Sequence, residues 1–146
     1  MKLYIVLMYI RQLTASDYIS YKRLINDFRE TYFTEEQFVH FINQLHPFNE
    51  IWVIEKDGEL VATGTIIFEQ KLIHNMAILS HIEDICVIKE LRSHGFGKQI
   101  VQHLIGRSRE RGAYKVTLDC NETNEPFYIK CGLERRGVQM SQLTPH

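Results

Sequence analysis

Runs of apolar residues along the chain switch between two spacings, and the switches divide it into strands and helices. Residues 4–13 are mostly β-branched, aromatic or aliphatic, which predicts a strand. Over residues 14–32 the apolar positions Tyr18, Tyr21, Leu24, Ile25 and Phe28 recur at helical spacing, with Thr14 or Ser16 as the cap. Thr34 opens a second helix: its hydroxyl can accept a free backbone N–H while Gln37 reaches back, the reciprocal pair of a capping box. Phe38, Phe41, Ile42 and Leu45 give that helix an apolar face until His46-Pro47 ends it, because the residue before proline is pushed out of the helical region. Residues 51–56 and 59–70 flank Asp57-Gly58, a hairpin signal whose tight turn needs positive φ. A loop over residues 71–80 leads to a strand at 81–88. Residues 95–112 form a helix with Phe96, Ile100, Val101, Leu104, Ile105 and Ser108 on one side. A strand at 115–120, a short helix at 124–131 closed by Gly132, and an extended segment at 133–143 complete the chain. The order β-α-α-β-β-β-α-β-α-β predicts an α/β chain of the α+β mixed-sheet kind, with helices on the sheet's faces.

With 146 residues and no linker or repeat, the chain is read as a single domain over 1–146, large enough for a core without disulfides. A formal net charge of -1 creates no global field toward nucleic acid or an anionic membrane, so any anionic ligand must be held by local groups. The apolar start is too short to span a bilayer and carries no small-residue cleavage site, which predicts neither a membrane span nor a signal peptide. Cys86, Cys120 and Cys131 are widely spaced and odd in number, giving no disulfide framework and pointing to a reducing, cytoplasmic setting. Scattered histidines show no ligand spacing, so no metal is expected.

Chemistry concentrates at Arg92-Ser93-His94-Gly95-Phe96-Gly97-Lys98, between a strand and a helix. Glycine lets the backbone bend tightly and approach a ligand. Unpaired N–H groups and the dipole at the helix start suit phosphate oxygens, and Arg92 and Lys98 add charge. The Gly-Lys-Ser/Thr of a P-loop and the full dinucleotide fingerprint are both missing. An ordinary glycine-containing turn before a helix has the same spacing. The three cysteines read as small buried hydrophobes without an adjacent base rather than as nucleophiles.

This loop resembles the R/Q-x-x-G-x-G/A pyrophosphate motif of the GNAT acetyltransferases. Wider blocks are similar to one branch, the glucosamine 6-phosphate N-acetyltransferases: His81-Ile82-Glu83-Asp84-Ile85, Tyr114-Lys115-Val116-Thr117-Leu118-Asp119-Cys120, Asn124, Phe127-Tyr128, Lys130-Cys131-Gly132 and Gly137-Val138-Gln139-Met140. Ala62-Thr63-Gly64 and Lys71-Leu72-Ile73-His74 continue the likeness upstream. The resemblance implies the GNAT acyl-CoA N-acyltransferase fold, a central, mostly antiparallel twisted sheet flanked by helices. It also implies acetyl transfer from acetyl-CoA to the 2-amino group of glucosamine 6-phosphate, within UDP-N-acetylglucosamine biosynthesis.

It assigns roles by position. Backbone at Ile85, Cys86 and Val87 would hold the pantetheine arm, the 92–98 loop the pyrophosphate, and Asn124 would lie near the cofactor. Lys71, Leu72, Ile73 and His74 would meet the sugar phosphate, and Glu83 and Asp84 the sugar. Asp119 would help activate the amine, and Tyr128 would stabilise the departing thiolate. A homodimer whose C-terminal segments complete the partner's site is also implied. Two positions depart from the branch: its last-strand arginine falls here at Leu143, and a threonine near the end of its first helix falls at Arg29. Arg29 then stands as a substitute phosphate ligand, or as a solvated side chain beside a weakened phosphate site.

Blander readings exist for several of these residues. Tyr128 fits a half-buried core tyrosine, Asp119 a solvated strand end or helix cap, and Lys71 and His74 a solvated loop. Glu83 and Asp84, adjacent on a strand, are expected on opposite faces and so not as an acid/base pair. Two other functions remain open: acetylation of a different small amine or peptide, and a non-catalytic acyl-CoA-binding module.

Overall fold

The computed structural model describes residues 1–145. Its elements are β1 (Met8–Gln12), α1 (Tyr18–Phe28), α2 (Glu35–Asn43), β2 (Asn49–Lys56), β3 (Glu59–Gln70), a single distorted turn α3 (Ile73–Met76), β4 (Ile78–Val87), α4 (Phe96–Glu110), β5 (Ala113–Thr117) and α5 (Glu125–Lys130). The strands form one sheet in the order β1-β2-β3-β4-β5. The first three pairings are antiparallel, and β4–β5 is parallel, joined by α4 as the crossover. Asp57 and Gly58 both take positive φ, at 51° and 83°, and close the β2–β3 hairpin.

One face of the sheet packs on α4 through Ile66, Phe68, Ile82 and Leu104, and the other on α1 and α2. α4 buries Phe96, Ile100, Val101, Leu104 and Ser108, the stripe its sequence period predicts. The Ser108 hydroxyl meets that of Ser80 on β4 at 2.9 Å, so two buried polar groups satisfy each other. Thr34 caps α2 by accepting the Gln37 N–H, and Gln37 Oε1 accepts the Thr34 N–H. At the far end of α4, Glu50 lies buried among Arg107, Arg111 and the Trp52 indole.

Four expectations need correction. The first strand begins at Met8, and residues 3–7 are exposed, with Leu7 exchanging hydrogen bonds with Asp57 of the hairpin turn. The first helix stops at Phe28, where Asn26 folds back to hydrogen-bond the chain at Thr31. β4 starts at Ile78 rather than in a loop running to Ser80, because Ile78 and Leu79 pair with the end of β3. Residues 133–143 form no strand: an extended segment needs a neighbouring edge, and within a single chain none pairs with it.

Candidate active site

β4 is longer than its partner. Pairing with β5 ends at His81 and Thr117, while β4 continues to Val87 with β3 on its other edge. From Ile82 to Val87 the edge facing β5 therefore has no strand partner, in a cleft that opens between the two strands. At the closed end of this cleft stand Glu83 and, just beyond the end of β5, Asp119, on the face away from the Ile82, Val116 and Leu118 side chains that pack toward α4.

A bulge shapes this strand. Thr63 pairs with Cys86 but Thr65 with Glu83, so Gly64 faces two residues, and the extra one, Asp84, takes φ 53°. The alternation expected of Glu83 and Asp84 is thereby broken. Ile82 and Ile85 both turn toward α4, and Glu83 and Asp84 are both exposed between them. Burial, then the charges of Asp84 and Asp119, push the Glu83 carboxyl above its usual range. Three carboxylates thus gather at the closed end of the cleft, and of them Glu83 holds a proton more readily than an ordinary carboxylate.

The 92–98 loop sits at the open end. Ser93 and Gly95 take positive φ, 66° and 88°, and turn the chain into α4. The first helical bond shown there runs from the Gln99 N–H to the Gly95 carbonyl, which leaves the N–H groups of Phe96, Gly97 and Lys98 pointing out of the helix start. No acidic side chain occupies that first turn. Arg92 is engaged elsewhere: its guanidinium donates to the carbonyls of Val87 at 3.2 Å and Asp27 at 2.9 Å, tying α1 to the end of β4. Phe96 is buried, while Ser93, His94 and Lys98 are exposed.

α5 lies across this loop, led by Asn124, which is exposed and precedes the helix as its cap position. Burial and the neighbouring Cys120 and Cys131 push the Tyr128 phenol above its usual range, so it keeps its proton and remains a donor. Its hydroxyl makes no hydrogen bond among the described residues. Asp119 Oδ2 accepts the Gln139 amide at 3.0 Å, a contact the sequence did not predict. Cys86 is buried, donates its thiol to the Leu24 carbonyl at 3.4 Å, and burial pushes it up to about 11, which fits packing and not nucleophilic chemistry.

The substrate-side residues fall into two groups. Lys71 pairs with Glu69 at 2.8 Å, while Leu72, Ile73 and His74 project into solvent, with His74 in left-handed backbone and against the Tyr114 ring. This loop precedes β4. Arg29 caps α1, whose Asp27 carboxylate binds the Lys89 N–H beyond the other end of β4. Ten residues of β4 separate the two groups, roughly 30 Å at strand rise, more than an arginine side chain spans. Leu143 is exposed.

Residues 14–133 match the model of the acetyltransferase (GNAT) family. The chain belongs to the GNAT acetyltransferase family. This acetyltransferase is 35% identical over 130 residues to a glucosamine 6-phosphate N-acetyltransferase of Dictyostelium discoideum, covering 86% of this chain and 83% of that one. It is 35% identical over 114 residues to a glucosamine 6-phosphate N-acetyltransferase of Arabidopsis thaliana, covering 75% and 76%. A crystal structure of an Arabidopsis thaliana glucosamine 6-phosphate N-acetyltransferase superposes on the acetyltransferase with a TM-score of 0.88 at 33% identity, over 95% of this chain and 99% of that one. The mixed sheet flanked by helices is thus the GNAT fold. Among the described residues no cluster of three or more His, Cys, Asp or Glu suits a metal ion, and no helix is long and apolar enough to cross a membrane.

Proposed function

We propose that this acetyltransferase moves the acetyl group of acetyl-CoA to the 2-amino group of glucosamine 6-phosphate. The carrying observation is the likeness, at 35% identity over 130 residues, to a relative of that name, joined to a cleft whose parts suit both substrates. In this reading the pyrophosphate lies on the Phe96, Gly97 and Lys98 amides, with Ser93 and His94 at its side. The pantetheine adds as a strand against Ile85, Cys86 and Val87. A backbone N–H of that edge faces the thioester carbonyl and stabilises the oxyanion without reorganising.

Transfer then needs no covalent enzyme intermediate. The amine attacks the thioester carbon once it has lost its proton toward the Glu83–Asp119 end of the cleft, where the Glu83 carboxyl has a raised proton affinity. The carbon–nitrogen bond forms, the tetrahedral intermediate collapses, and the carbon–sulfur bond breaks. Tyr128 donates its hydrogen to the departing sulfur, and the second proton that the nitrogen sheds on becoming an amide restores the phenol. Asp84 and Glu83 hold sugar hydroxyls, Asn124 steadies the cofactor, and Lys71 and His74 meet the phosphate with backbone of Leu72 and Ile73.

A homodimer completes this reading. β5 is an edge strand, and a groove of about 880 Å³ runs along it between Asp119, Tyr128 and residues 137–139. Val138, Met140 and Leu143 are 84–90% exposed and give a second copy an apolar strand to lay there. Arg29 reaches a sugar phosphate at the Lys71 loop only across such a subunit boundary. Three free cysteines, one of them exposed, fit a cytoplasmic setting. The test is acetyl-CoA turnover with glucosamine 6-phosphate, glucosamine and a lysine peptide compared directly. The reading expects kcat/KM highest for the phosphosugar by at least about 100-fold; equal or better turnover of the peptide would overturn it.

A further inference from the structure

Four polar side chains form a line across the sheet where β4 and β5 separate. Lys71 Nζ lies 2.8 Å from Glu69 Oε1, Glu69 Oε2 lies 3.0 Å from His81 Nε2, and His81 Nδ1 lies 3.0 Å from the Thr117 hydroxyl. The line runs from the loop after β3, through β3 and β4, to β5. With its hydrogen on Nε2, the neutral imidazole donates to Glu69 and accepts from Thr117, so each contact has a donor and an acceptor. The other acceptor near the Thr117 hydroxyl, the Ser80 carbonyl, is farther away at 3.4 Å.

The place of this contact gives it consequence. His81 and Thr117 are the last paired residues of the two strands. Glu83 follows His81 by two residues on β4, and Asp119 follows Thr117 by two just beyond the end of β5; Ile82, Val116 and Leu118 pack on the α4 side, which leaves these residues on the other face. A side-chain bond at the final rung fixes the angle at which the strands diverge, and with it the gap between the two carboxylates.

We propose that His81 is a positioning residue for acetyl transfer. Its Nδ1 contact with Thr117 sets the spacing of Glu83 and Asp119 around the acceptor amine, and its Nε2 contact, through Glu69, holds Lys71 at the sugar phosphate. This rests on the reading of the phosphosugar as acceptor.

The two ring nitrogens can be tested separately. His81→Asn places an amide where Nδ1 was and keeps only the Thr117 contact; His81→Gln places one where Nε2 was and keeps only the Glu69 contact. His81→Asn is expected to raise KM for the phosphosugar about ten-fold with kcat within about two-fold of wild type, and His81→Gln to do the converse. Thr117→Val should reproduce the His81→Gln loss of kcat, and the double variant should lose little more, because one bond is removed in both. KM for acetyl-CoA should stay constant throughout. Wild-type kinetics in both His81 variants, or losses in kcat and KM that are the same in each and follow the melting temperature, would overturn the role of His81. Wild-type protein inactive on glucosamine 6-phosphate but active on another amine would instead overturn the acceptor assignment.

Discussion

Phe127 packs so closely on Gly97 that a Cβ there would stand 3.1 Å from Phe127 Cζ and 3.5 Å from Val87 Cγ2. This contact joins α5, which carries the proposed leaving-group donor Tyr128 next to Phe127, to the proposed pyrophosphate loop at the start of α4. Gly97 sits in ordinary helical backbone, so alanine there meets crowding but no backbone strain. Phe127 must give by a few tenths of an ångström, while helix propensity returns about 1 kcal/mol. Gly97→Ala should therefore keep its melting temperature and raise KM for acetyl-CoA about three-fold, whereas the branched Gly97→Val should raise it at least about ten-fold. Steady-state kinetics with acetyl-CoA varied will check both.

Tyr128 is proposed to act only as sulfur departs. Tyr128→Phe removes one oxygen and keeps the ring that packs on Phe127. The expected result is a fall in kcat of roughly 100-fold with the dissociation constant for acetyl-CoA unchanged. Calorimetric binding beside turnover separates the two quantities, and a variant with wild-type kcat would remove the hydroxyl from the mechanism.

Glu50 is 6% exposed and binds Arg107 through both carboxylate oxygens, at 2.8 and 3.0 Å, with the Trp52 indole at 2.8 Å. Burial opposes its ionisation, but hydrogen bonds from Arg107 and Trp52 overcome that cost and hold the carboxyl below its usual range. Truncating it leaves the half-buried Arg107 guanidinium with only the exposed Glu110 as partner and the Trp52 indole N–H with none. Glu50→Ala should cost about 3 kcal/mol and lower the melting temperature by roughly 10 °C, with KM values unchanged because the cluster lies at the far end of α4.

His103 packs against Trp52 with ring centroids 4.2 Å apart and the rings tilted by 58°, and its Nε2 is buried with no hydrogen-bond partner among the described residues. Burial, then the Arg107 charge, holds its imidazole below the ordinary value, although Glu110 and Glu50 pull the other way. The unfolded chain thus takes up a proton first. Stability is expected to be full above about pH 6.5 and to fall as pH drops from there toward the lower folded value. Glu50 adds a second decline below about pH 4.5 by the same linkage, since its folded carboxyl resists the proton. His103→Phe should flatten the upper limb alone in denaturant titrations repeated across pH.

Local chemistry made much of the fold legible. The Thr34–Gln37 cap, the Asp57-Gly58 turn and the buried stripe of α4 each follow from residues within a few positions of one another. The bulge at Asp84 did not show, because an aspartate took the left-handed conformation that glycine usually marks, and the expected alternation at Glu83 failed with it. His81 passed unnoticed as a functional candidate, since its partners Glu69 and Thr117 stand 12 and 36 residues away. The Glu50 cluster was likewise invisible, its two main partners being 57 residues apart. Residues 133–143 read as a strand from their composition, but a strand exists only where an edge accepts it.

Amide hydrogen exchange on adding coenzyme A puts the binding cleft to the most direct test. The expected outcome is protection of the Ile85 and Val87 amides on the open edge of β4 together with the Phe96, Gly97 and Lys98 amides, and no change along β1 and β2. Coenzyme A that binds while those five amides exchange at their free rates would contradict the account.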